Sequence, residues 1–100
     1  MKTKIQKEDG KMVAFLEGRL DTAAAAETES ALRSLYDCEE QDVILDCTDL
    51  AYISSSGLRI FLGILKNAKT RGGNVYIRGI SGEIRSVFAM TGFINLFKFI

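Results

Sequence analysis

Histidine is absent from the 100 residues, and with it the imidazole on which a Ser-His-Asp triad and mixed Cys/His zinc sites depend. A hydrolytic centre of the common kind is therefore excluded. Proline is absent too, so no proline-rich linker divides the chain. Net charge is missing: thirteen basic and thirteen acidic side chains cancel, which leaves no overall field to attract nucleic acid or an anionic membrane. Neither partner is expected. Cysteine is scarce, and Cys38 and Cys47 lack CxxC spacing; both read as reduced cytosolic thiols. No run approaches the roughly eighteen apolar residues of a membrane helix, and residues 1–6 alternate charged and polar where a signal peptide would be apolar. A cytoplasmic protein is expected.

What the chain does contain is the make-up of an ordinary globular domain, 47% apolar and 26% charged. Its length predicts a single domain spanning 1–100. Residues 4–8 and 11–17 flank Asp9-Gly10, a two-residue hairpin turn, and Gly18 is read as the end of the second strand. Asp21 or Thr22 caps a first helix over 23–36, whose apolar positions include Ala31, Leu32 and Leu35. Val43-Ile44-Leu45 is a short apolar run of the kind found in a central strand covered on both sides. A loop over 46–52 leads to a second helix that begins near Ser54-Ser55-Ser56-Gly57 and ends about Lys69. Residues 74–78 form a strand, Ser81 caps a third helix stopped by Gly92, and 96–100 form the last strand. This alternation predicts an α/β fold: a mixed five-stranded sheet with an antiparallel N-terminal hairpin strand, the remainder mainly parallel and joined by right-handed crossovers.

The chemistry-bearing residues are few. The glycines match neither a P-loop nor a dinucleotide fingerprint, and Asp21, Asp42, Asp46 and Asp49 are not assembled with a nucleophile or electrophile. The chain reads as a binding module rather than an enzyme, with no cofactor and no metal of its own. Three hydroxyls, Ser54, Ser55 and Ser56, crowd the entrance to the second helix. One suffices for a cap, and the others are ordinarily space-filling. A helix N-terminus nevertheless offers unpaired amides and a positive dipole end, which would stabilise a phosphate on a first-turn serine. Such a modification adds about −1.5 to −2 units of charge and would disrupt a partner interface without unfolding the domain. Arg59, Lys66 and Lys69 read as a solvated helix face.

End to end, the sequence resembles the STAS domain (sulfate transporter and anti-sigma factor antagonist). The resemblance lies in the hairpin, Gly18-Arg19-Leu20-Asp21, Val43-Ile44-Leu45-Asp46 and Ser56-Gly57-Leu58. In members that antagonise anti-sigma factors, the motif is Asp-Ser-[Ser/Thr]-Gly-Leu and the hydroxyl before glycine accepts phosphate, which places the acceptor at Ser56. The resemblance further implies that Asp21 lies near the acceptor and contacts a partner. Together with Ser54, Ser55, Gly57, Leu58, Arg59 and Leu62 it would form the partner-binding surface. The implied partners are an anti-sigma factor serine kinase and a metal-dependent serine phosphatase, with ATP and metal belonging to them. The sequence departs from the family at Ser54, where the motif has aspartate. Many relatives also continue into a further helix after the last strand. The resemblance thus leaves room for a sheet face covered differently or by another subunit, and for a homodimer. Two other readings share the sequence: a STAS interaction subunit of a lipid-transport ABC complex or a stress-signalling scaffold, using the same helix face without phosphorylation, and a nucleotide-binding or catalytic protein.

Overall fold

A computed structural model describes residues 1–100. The first two strands, β1 (Lys2–Glu8) and β2 (Lys11–Leu20), form the antiparallel hairpin. Asp9 and Gly10 take φ angles of 49° and 78° at the turn, the positive values that a right-twisted two-residue hairpin demands. The chain continues through α1 (Thr22–Ala31), β3 (Val43–Ile53), α2 (Ser55–Thr70), β4 (Val75–Arg78), α3 (Gly82–Met90) and β5 (Lys98–Phe99). One five-stranded sheet results, in the order β1-β2-β3-β4-β5. Every pairing after the hairpin is parallel, which gives the expected mixed α/β sheet.

Strands added in sequence order through crossovers of one hand place all three helices on the same face. On that face Ala14, Leu16, Val43, Leu45, Cys47, Val75 and Ile77 meet Leu58, Phe61, Ile64 and Phe88 in a continuous core. Cys47 is fully buried, and desolvation followed by the charge of Asp46 pushes its thiol up to about 12, so it stays protonated and unreactive. The opposite face has no helix cover, yet the central β3 strand is buried on both faces at Val43, Ile44 and Leu45, as its apolar run predicts. The face without helices carries a cross-strand row of Phe15, Asp46 and Arg78. Arg78 bonds Asp46 at 2.8 Å and reaches Glu8 at 3.5 Å. Burial opposes the charge of Asp46, but the Thr48 amide and hydroxyl and the Arg78 guanidinium outweigh it and hold the carboxyl below its ordinary range.

Four sequence boundaries move, the simplest being the last strand, which spans Lys98–Phe99 rather than 96–100 because Phe93–Asn95 form a 3-10 turn capped by Leu96. Gly18, with φ 107°, is a bulge inside β2 rather than its end; the register shifts there and the strand runs on to Leu20. The segment expected as a loop over 46–52 belongs to β3, with Leu50 and Ile53 turned into the core and Asp49 and Tyr52 exposed. The first helix stops at Ala31, and Arg33–Tyr36 tighten into a 3-10 turn that still buries Leu35.

Candidate functional site

The site is built by the register of two neighbouring parallel strands. Leu20 at the end of β2 pairs with Ile53 at the end of β3, and the Ser54 amide donates to the Leu20 carbonyl at 2.9 Å. The next residue on each strand, Asp21 and Ser54, is therefore carried to the same edge of the sheet, and each is a helix N-cap. Asp21 Oδ1 accepts from the Ala24 amide at 2.9 Å, and Ser54 Oγ accepts from the Gly57 amide at 3.2 Å. Helices α1 and α2 consequently begin side by side.

Gly57 makes the close seating of α2 feasible. A Cβ at this position would lie 2.7 Å from Leu20 Cγ and 2.8 Å from Ile53 Cγ1, so the first turn of the helix rests directly on the ends of both strands. With Ser54 used as the cap, Ser55 and Ser56 become the first two residues of the helix, and their amides have no intrahelical acceptor. Ser55 is exposed; Ser56 is half-buried and its hydroxyl makes no hydrogen bond within the protein.

Ser56 faces a groove of about 360 Å³ between α1 and α2, lined also by Thr22, Ala25, Ala26, Glu29, Arg59 and Ile60. The alanines let the two helices approach, and their short side chains form its floor with Ile60. Thr22, Glu29, Ile60 and the alanines are the groove residues that sequence reading missed as site residues; their signal lies in the adjacency of α1 and α2, which no local motif encodes.

The remaining expected site residues fall in two groups. Arg59 is exposed and Leu62 half-buried, both on α2. Leu58, only 3% exposed, points into the core, and Gly57 is buried beneath the first turn. These two shape the surface rather than form it, a correction to their expected place in direct contact. Ser54, 9% exposed and committed to capping, likewise lies under the surface. Lys66 and Lys69 are exposed, with Lys69 bonded to Asn74. No cluster of three His, Cys, Asp or Glu side chains forms a metal site, and no helix is long and apolar enough to cross a membrane. A larger cleft, about 610 Å³, lies across the open sheet face beside Lys4, Phe15 and Asp46 and contains none of the serines.

The cap also explains the departure at residue 54. Serine and aspartate are both strong N-caps, so the geometry survives the exchange and only the charge beside Ser56 changes. Ser54→Ala is expected to lower unfolding free energy by about 1 kcal/mol, whereas Ser54→Asp should keep most of it, because the helix dipole favours the anion. Equal losses in denaturant unfolding would refute the capping role.

The comparisons with known proteins agree with this architecture. The STAS domain description matches residues 2–100. A protein of Bordetella bronchiseptica named for anti-sigma factor antagonism, BtrV, is 35% identical over 97 residues, covering 97% of this chain and 84% of the relative. In fold, the chain is similar to an anti-sigma factor antagonist structure from Thermotoga maritima, with TM-score 0.87 at 16% identity over 97% of this chain and 84% of that one. It is also similar to the Bacillus cell fate determinant SpoIIAA solved in its phosphorylated form, with TM-score 0.74 at 19% identity over 99% of this chain and 91% of that one. With the match running from the first strand to the last residue, and the motif serines seated at the edge where β2 and β3 end together, the chain belongs to the STAS domain family.

Proposed function

We propose that this protein is an anti-sigma factor antagonist switched by phosphorylation of Ser56. The observation that carries the reading is the placement of Ser56: a first-turn serine with an uncommitted hydroxyl, facing the groove between α1 and α2, two helices whose caps Asp21 and Ser54 follow paired strand ends. Relatives named as anti-sigma factor antagonists, and a structural neighbour solved in a phosphorylated form, support it.

In this reading the unphosphorylated protein binds an anti-sigma factor serine kinase in the cytoplasm and frees the sigma factor. Asp21, Ser55, Ser56, Arg59 and Leu62 form the contact surface, while Ser54, Gly57 and Leu58 hold it in place from below. The kinase then catalyses attack of Ser56 Oγ on the γ-phosphorus of ATP. A new O–P bond forms, the bond from that phosphorus to the bridging oxygen breaks, ADP leaves, and the hydroxyl proton passes to a base of the kinase. The added charge of about −1.5 to −2 would have to be desolvated in the interface. A loss of about 2.7 kcal/mol there is a hundredfold in affinity, sufficient for an off state. A metal-dependent serine phosphatase hydrolyses the ester and restores binding.

The test is incubation with the candidate anti-sigma kinase of the same genome, ATP and magnesium, followed by mass-spectrometric mapping. Phosphate on Ser56, missing in Ser56→Ala and accompanied by loss of kinase binding, is the expected result. Binding without modification would replace this reading with the interaction subunit that works without a phosphorylation cycle.

A further inference from the structure

The groove beside Ser56 holds one cation. Of its lining residues only Glu29 and Arg59 are charged, and Arg59 is exposed with neither a hydrogen bond nor an ion pair to any other side chain. Most other guanidiniums are engaged elsewhere, and Arg33, which is likewise exposed and unpaired, sits in the 3-10 turn and does not line this groove. Arg78 is tied to Asp46 and Glu8, Arg71 to Asn67 and the Glu40 carbonyl, and Arg19 stacks 4.4 Å over Tyr52. Arg59 is left free at the edge of the groove that contains the serine.

Its position in α2 fixes what it can reach. Ser56 and Arg59 are three residues apart on one helix, the spacing at which side chains become neighbours, with Cβ atoms about 5–6 Å apart. Both line the same groove. A phosphate on Ser56 would find the first-turn amides and dipole beneath it. It would also find Glu29 across the groove and Asp21 at the neighbouring cap, two carboxylates that repel it. Arg59 is the cation available to offset them, and a guanidinium matches phosphate oxygens in paired hydrogen bonds.

We propose that Arg59 is the phosphate-holding residue of this site. When Ser56 is phosphorylated, the guanidinium turns from the open groove onto the phosphate one helical turn away. The inference rests on Ser56 being the acceptor and deepens that reading. It makes the off state twofold in origin: the modification adds charge at Ser56 and also withdraws Arg59 from the surface offered to the partner. The pairing is intramolecular, so it stabilises the phosphorylated form in the absence of any partner.

That independence supplies the test. The full chain is produced with phosphoserine incorporated at position 56 during synthesis, which requires no kinase, and the phosphate is titrated by phosphorus NMR. Replacing Arg59 is expected to raise the second pKa of the phosphate by about half a unit in Arg59→Gln, with Arg59→Lys in between. Identical titrations in the parent and Arg59→Gln proteins would overturn the assignment. Circular dichroism of each variant confirms that the exposed substitution leaves the fold intact. If the titrations differ but the anti-sigma kinase leaves Ser56 unmodified, the switch reading fails while the pairing stands. If the kinase modifies Ser56 and the titrations coincide, the pairing alone fails.

Discussion

Phe88→Ala is expected to destabilise the protein by about 3–5 kcal/mol, the cost of emptying a fully packed aromatic site. Phe88 projects from α3 with no exposed surface. Its ring lies 5.7 Å from Phe97 and 5.8 Å from Phe99 in edge-on geometry, and 6.1 Å from Phe61 on α2. These contacts join α3, α2 and the short last strand, whose two residues contribute little ladder bonding of their own. Aromatic pairs add about 0.5–1.5 kcal/mol each beyond the area they bury, so several are lost together. A domain of this size has only about 5–15 kcal/mol in total. Thermal unfolding should fall by roughly 12 °C or more, with Phe88→Leu nearer to the parent because it retains most of the volume. A shift below about 4 °C for alanine would mean that the cluster does not anchor the sheet edge.

How far the sequence discloses this structure depends on how local each signal is. Helix caps are local, so Asp21 or Thr22, Ser54 or Ser55, and Ser81 are legible as starts of helices, and the structure uses Asp21, Ser54 and Ser81 as the amide acceptors. The hairpin turn is legible for the same reason, since Asp9-Gly10 supplies the positive φ angles itself. Strand length is not. Asp46, Thr48 and Asp49 make residues 46–52 look like a loop, yet a polar residue is unobjectionable in a strand whose second face is open or whose end projects beyond the sheet. The first helix reads too long in the sequence, because Leu32 and Leu35 keep helical spacing through a 3-10 turn that the pattern does not distinguish. At the site, Ser56 and Asp21 could be singled out individually. That their two helices start side by side depends on the Leu20–Ile53 register, and the presence of Glu29 and Ala26 in the groove depends on α1 lying against α2. Pairings of that kind are properties of the assembled sheet.

Gly57→Ala separates the fold from the site more sharply than any substitution of a serine. Gly57 is an ordinary helical residue with no positive φ, so alanine would normally be preferred there. The obstruction is steric: the added methyl meets Leu20 and Ile53, the two buried residues at the strand ends. Both are held on the core side of the sheet, so the first turn of α2 must lift or the side chains must leave their rotamers, at about 1–3 kcal/mol. Gly82, the first residue of α3, has nothing within 4 Å of its Cβ direction, and Gly82→Ala should leave stability unchanged or slightly improved. Lifting the turn also displaces Ser56, and displacement of a reacting group by about 1 Å can cost a hundredfold in rate. Gly57→Ala is therefore expected to slow phosphorylation of Ser56 at least about tenfold under conditions where the domain is still folded, whereas Gly82→Ala is phosphorylated like the parent. Thermal unfolding and single-turnover phosphorylation of both variants decide it. Unchanged phosphorylation in a destabilised Gly57→Ala protein would show that the kinase reads the serine without regard to how α2 is seated on the strands.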